Sequence, residues 1–415
     1  MPELFTQIFI AVIAVSLVIR VWLGLRHIRH IQDNRQQVPA AFRESISLEA
    51  HQRAADYTTA KVKLRLSETV MEAAILLALT LGGILQSLDQ LWQQWLPDYE
   101  IIRGALVICS AMLISSAATL PFDYIQTFNI DERFGFNKMS RGMFFGDLIK
   151  HTIVGLLLGA PILFAALWLM QSAGEWWWLY LWLVWSAFNL FMLAVYPIWI
   201  APLFNKFTPM QDQSLKARIE ALLQKCGFAS QGLFVMDGST RSGHGNAYFT
   251  GFGKNKRVVF FDTLLEKLNA DEIEAVLAHE LGHFKHQHVV KRIAMMFGLS
   301  LIGLALLGFL VKQNWFYNGL GIAEASNHMA LLLFVIVSPV FMFILRPLLA
   351  AYSRINEFEA DHYASQQSRP QYLIDALVKL YRDNASTLTP DPLHSAFYDS
   401  HPPASLRIAK LQTYA

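Results

Sequence analysis

The chain has 415 residues, 54% of them hydrophobic and only 16% charged, against roughly 25% charged in an average soluble domain; with a mean hydropathy of +0.33 this excludes a disordered or purely soluble protein. The 34 basic and 32 acidic residues leave a net charge of +2, too little to hold a nucleic acid backbone by counterion release, so no nucleic-acid partner is expected. Cys109, in an apolar run, and Cys226, in a polar one, cannot build a disulfide framework and read as free thiols.

A bilayer core about 30 Å thick takes roughly 20 helical residues, because each backbone polar group must be satisfied within the segment. Seven stretches qualify, approximately residues 4–25, 69–89, 101–122, 151–173, 177–200, 293–312 and 328–350. The first opens Met1-Pro2-Glu3, and Arg26 and Arg29 follow its apolar run. It therefore reads as a retained span and not as a removed signal peptide. The loop after the first span carries Arg26, Arg29, Arg35, Arg43, Arg53, Lys61, Lys63 and Arg65, and the loop after the third carries Arg133, Lys138, Arg141 and Lys150. Gln171 to Glu175 and Gln313 to Asn327 contain no Lys or Arg. Because basic loops stay on the cytoplasmic side, the N-terminus is expected outside, and both the fifth loop and the C-terminal tail in the cytoplasm. The expected organisation is five spans in 1–200, a polar loop at 201–292, two spans in 293–350 and a tail at 351–415. Among the charges at membrane depth, Asp89, Arg103, Asp123 and Arg346 lie near enough to span ends to snorkel, whereas Glu72 is a candidate to line a polar cavity.

In the fifth loop, Asn269-Ala270-Asp271-Glu272 places a cap residue and a carboxylate three positions apart, the signature of a helix start. On that helix lies His279-Glu280-Leu281-Gly282-His283. Histidines at i and i+4 share a helical face, so both imidazoles reach one Zn²⁺ while the intervening Glu280 lies beside the attacking water. His286 and His288 follow, but Val289 stands where an extended metzincin motif needs a third histidine, so these two read as solvated. A catalytic zinc site wants a third protein ligand. Glu324 falls on the far side of the membrane, leaving Glu357 and Glu359 in the helical segment Ser353 to Ala364. Glu357 shares its face with Asp361 while Glu359 points away. Glu357 is thus the expected ligand, and Asp361 the carboxylate that accepts the free ring N–H of a ligand histidine. Between Asn246 and Phe261, two aromatic and β-branched runs broken by glycines suggest a hairpin. If its first strand is an edge, an extended peptide could add to it beside the metal.

The chain resembles the integral-membrane CAAX prenyl endopeptidases, a family of gluzincin-type zinc metalloproteases. The resemblance rests on Leu120-Pro121-Phe122, Gly135-Phe136-Asn137-Lys138, Ile200 to Pro209, Asn246-Ala247-Tyr248-Phe249, the His279 to His283 motif, Ser353 to Ala364, and Ser400-His401-Pro402-Pro403 with Arg407. It implies an all-α membrane protein with seven transmembrane helices around an intramembrane chamber and a small cytoplasmic α+β peptidase portion. By the same resemblance, His279, His283 and Glu357 bind one zinc per chain and Glu280 is the catalytic base. Asn246 with Ala247, and Arg407, would face the substrate groove, and His401 would steady the developing oxyanion. The expected activity is hydrolysis near the C-terminus of membrane-associated peptides or proteins of CAAX type, prenylated ones among them, by a homologue in a bacterial inner membrane. A membrane-protein quality-control protease fits seven spans less well. A transporter leaves the zinc motif unexplained.

Overall fold

The computed structural model describes residues 1–228, 230, 232–250 and 257–414. The first span is a helix, α1 (Pro2–Asp33). The second, α2 (Leu48–Leu79), is capped by Ser47, whose Oγ accepts the Ala50 N–H at 3.2 Å. At 1.5 Å per residue α2 is about 48 Å long and outreaches a bilayer core. The expected second span, 69–89, is not one straight helix: α2 and α3 (Ile84–Trp95) qualify only as a pair, bent by 50°. Gly82 and Gly83 cause the break. Gly83 has a φ of 78°, and a Cβ on Gly82 would lie 2.6 Å from the Ala78 carbonyl oxygen.

Five further helical runs among the described residues meet the length and apolarity of a span. Among them, α4 (Glu100–Ile125) runs on through a wide π-helical turn, Gln126–Asp131. Next come α5 (Arg141–Ser172) and α6 (Trp177–Val195). After the small helices α7 (Gln213–Lys225) and α8 (Asp262–Leu265) comes α9 (Ala270–Lys285), which leads almost directly into α10 (His288–Leu310). The short α11 (Asn314–Asn318) joins it to α12 (Asn327–Met342). One tight turn, Phe343–Leu345, links α12 to α13 (Arg346–Gln367), so that the last span and the helix carrying Glu357 form one run of 41 residues. The tail adds α14 (Pro370–Asp383), α15 (Pro392–Tyr398) and α16 (Ala404–Gln412). In all, among the described residues six helices are long and apolar enough to cross a membrane, and seven spans result when the bent pair is taken as one.

A four-stranded mixed sheet lies in the fifth loop, in the order β1 (Phe207–Pro209), β2 (Leu233–Met236), β4 (Arg257–Phe261), β3 (Ala247–Thr250). The expected hairpin strands pair antiparallel, Ala247 opposite Phe260; their connection, 251–256, lies outside the described residues. β2 joins β4 in parallel, with Leu233 opposite Val258.

There are two main apolar cores. One, including Phe9, Val107, Leu307 and Leu333, holds the spans together. The other, including Ile219, Phe260, Leu277, Ala364 and Ile408, joins the sheet to α7, α9, α13, α14 and α16. Outside these, Leu113, Leu157, Ile302 and Ile344 are left exposed, as a lipid-facing surface requires.

Candidate metal centre

The centre is built on the crossing of α9 and α13. The α9 start is a complete capping box: Asn269 Oδ1 accepts the Glu272 N–H at 3.0 Å, and Glu272 Oε2 accepts the Asn269 N–H at 2.9 Å. Lys379 of α14 then pairs with the buried Glu272 carboxylate at 2.7 Å, fixing that end of the helix. One turn before its other end, Gly282 removes the side chain that would separate the helices. A Cβ there would lie 2.8 Å from the Ala360 Cα and 3.0 Å from its carbonyl oxygen. The close approach carries Glu357 and Asp361 to the two motif histidines.

His279, His283 and Glu357 each offer a ligand atom, all within 4.8 Å of one another. Glu357 Oε2 lies 3.5 Å from His279 Nε2, and Oε1 lies 3.4 Å from His283 Nε2. Those separations exceed the 2.7–3.2 Å of an N–H···O bond. They match the edge of a tetrahedron whose centre is about 2.0–2.2 Å from each ligand, roughly 3.3–3.5 Å. Glu357 Oε2 is buried without a hydrogen-bond partner, with Arg407 Nη1 at 3.6 Å as its nearby cation; that leaves room for a metal ion to complete its coordination. The donor set therefore fits a divalent ion.

Each histidine is held from behind in a different way. His279 Nδ1 lies 2.9 Å from Asp361 Oδ1, and Asp361 in turn accepts two bonds from Arg407, at 2.6 and 2.8 Å. Burial and Arg407 push the His279 imidazole down, but the carboxylates of Asp361 and Glu357 outweigh both and lift it to about 9. A metal at Nε2 needs that nitrogen free of its proton, so metal binding here is linked to proton release. His283 Nδ1 lies 2.9 Å from His288 Nδ1, and His288 Nε2 lies 2.9 Å from Glu359 Oε2. With His283 Nε2 facing the centre, its Nδ1–H donates to His288, whose Nε2–H donates to the Glu359 carboxylate.

Two expectations are corrected here. His288 is not solvated: it is 5% exposed and bonded at both ring nitrogens. Gln287, at φ 56°, breaks the helix between α9 and α10 and turns His288 back onto His283. His286 stacks on His288, with ring centroids 5.6 Å apart. Arg407 does not face an open groove. It is 6% exposed, grips Asp361, and stands 3.3 Å from His279 Nδ1; α16 packs against α13 and α14 and turns it inward.

Glu280 is half-buried on α9 between the two histidines. The tail folds back so that His401 Nε2 lies 3.4 Å from Glu357 Oε1 with its side chain 63% exposed, at the open rim of the cluster. Asn246, exposed, and Ala247, half-buried, begin β3, which has a partner on one side only among the described residues. They make no hydrogen bond to the cluster among those residues. β3 is nonetheless seated against the motif helix, with Phe249 and Phe284 ring centroids 5.0 Å apart.

Residues 27–206 match the family model described as CAAX prenyl protease N-terminal, five membrane helices, and residues 209–415 match the model of peptidase family M48. The chain belongs to peptidase family M48. This M48 chain is 38% identical to "CAAX prenyl protease 1 homolog" of Arabidopsis thaliana, over 75% of its own length and 74% of the relative's. It is 31% identical to "CAAX prenyl protease 1" of Saccharomyces cerevisiae, over 90% and 88%. A crystal structure of S. mikatae Ste24p superposes with a TM-score of 0.92 at 27% identity, covering 98% of this chain and 99% of that one. The M48 chain is an integral-membrane zinc metalloendopeptidase.

Proposed function

We propose that the protein hydrolyses a peptide bond near the C-terminus of membrane-associated substrates of CAAX type, prenylated ones among them, at one zinc ion held by His279, His283 and Glu357. The observation that carries this reading is the convergence of those three donors within 4.8 Å, with the Glu357 carboxylate at tetrahedral-edge spacing from each histidine, 3.4–3.5 Å, and one of its buried oxygens without a hydrogen-bond partner. When bound, Zn²⁺ supplies Lewis acidity that brings the pKa of a water toward about 7 and polarises a carbonyl. Glu280 takes the proton of the attacking water and returns it to the leaving amine. His401, at the rim, donates to the developing oxyanion. The free edge of β3, opening at Asn246 and Ala247, aligns the extended substrate backbone. Asp361 and Arg407 hold His279 in the tautomer that presents Nε2. The fifth loop and tail lie in the cytoplasm and the N-terminus outside, as the basic loops require.

The test is to incubate purified, zinc-loaded protein with prenylated and unprenylated forms of one CAAX peptide and map the cut by mass spectrometry. Cleavage after the cysteine, reduced about 10²–10⁴-fold in Glu280→Gln at unchanged zinc content, is expected. Full proteolysis by that variant would remove the base assignment.

A further inference from the structure

Two arginines flanking the turn between α12 and α13 have no ion-pair partner among the described residues. Arg20, in α1, is half-buried with its Nε unpartnered, and its guanidinium sits 4.5 Å over the Phe343 ring. Arg346, at the start of α13, is exposed and sits 4.7 Å over the Tyr398 ring. Phe343 and Phe397 are 5.1 Å apart, so the two guanidiniums bracket the aromatic end of α15. Tyr398 is within electrostatic reach of Arg20, Arg346 and Arg65. Arg65 is tied to Glu68 at 2.9 Å. The carboxylate nearest in influence to Arg20 is Glu72, beyond ion-pair distance. Cations at this depth are costly without a counter-ion; Glu68, Glu72 and Asp123 share the region, but among the described residues none of them comes within ion-pair distance of Arg20 or Arg346.

Arg346 is also on the metal centre's side of α13. Counting 100° per residue, Arg346, Ala350, Glu357 and Asp361 fall on one face, while Leu348 and Ile355, 65% and 57% exposed, fall on the opposite one. From 346 to 357 is three turns, about 16 Å. Three extended residues span about 10 Å, and a contact of about 3 Å at each end brings the total to the same 16 Å. The chain supplies a second ruler. Tyr398, beneath Arg346, is three residues from His401 at the rim, and Arg354 fastens this stretch to α13 by donating to the Asp399 carbonyl oxygen at 2.9 Å.

We propose that Arg20 and Arg346 form a carboxylate subsite that takes the free C-terminus of the substrate, three residues beyond the bond being cut. This rests on the C-terminal reading of the activity above. A planar guanidinium suits a carboxylate bidentately, and the fixed distance from the metal centre would select where the cut falls.

The test uses the full-length, zinc-loaded protein in neutral detergent. One prenylated CAAX peptide is supplied as the free acid, as the C-terminal amide, and extended by several residues beyond the last position. Wild type is expected to favour the acid by about tenfold or more in kcat/KM, chiefly through KM. Arg346→Gln and Arg20→Gln should bring the acid-to-amide ratio toward one, and Arg346→Lys should restore part of it. The wild-type comparison requires no variant to fold. Equal cleavage of all three peptides by wild type leaves the endopeptidase reading standing and overturns the subsite. If none of the three is cut, it is the proposed activity that fails. If the glutamine variants keep the acid preference and instead lose co-purifying anionic phospholipid, the arginines serve the bilayer and the proposal is overturned.

Discussion

His279 and His283 sit four residues apart on one helix, yet the groups behind them come from opposite directions. Asp361 reaches His279 directly from α13, while His283 depends on His288 and, through it, on Glu359. Replacing His288 by Ala should weaken zinc binding about 10–100-fold, read by competition with a chromophoric chelator, and Glu359→Gln should weaken it less. Unchanged affinity in both would show that His283 needs no such support. The i, i+4 spacing and the shared face of Glu357 and Asp361 were legible because they follow from helix geometry alone. His288 was not, because its place depends on a left-handed residue, Gln287, that no local rule demands of a glutamine. Arg407 lay equally out of sight: its partner Asp361 is distant in sequence, and only the packing of α16 brings them together.

At the level of elements, the α9–α13 contact decides whether a centre exists. Gly282 leaves no room for a Cβ against Ala360. Gly282→Ala should therefore force the helices apart, costing about 1–3 kcal/mol in stability and reducing zinc affinity. Thermal unfolding with and without added zinc measures both, and a wild-type response would mean that the contact yields without harm. The helix start at Asn269 and the positions of most spans were legible from a cap and from apolar runs, whereas the start of α2 at Ser47 was hidden in a stretch read as a basic loop. The bend between α2 and α3 was marked by Gly82-Gly83, but continuous apolarity masked it. β1 and β2 escaped because three or four residues carry too little alternation, and because the parallel pairing of β2 with β4 is set by the whole sheet.

For the whole molecule, metal and fold should be linked. Zinc binds the native arrangement of α9 and α13 and not the unfolded chain, so at 100-fold excess over Kd it contributes about 2.7 kcal/mol. Stripping it with a chelator should lower the melting temperature reported by the tail helices α14 and α16, and hydrogen exchange resolved by segment would reveal it. Equal protection with and without zinc would mean that the apolar core around Leu277 and Ile408 holds this region unaided.

Of the two helices that grip the metal, α13 is continuous with a membrane crossing and α9 stops two residues short of one. The blade of this protease thus has no handle of its own: a cut made to free a soluble catalytic fragment must sever the rod on which Glu357 rides.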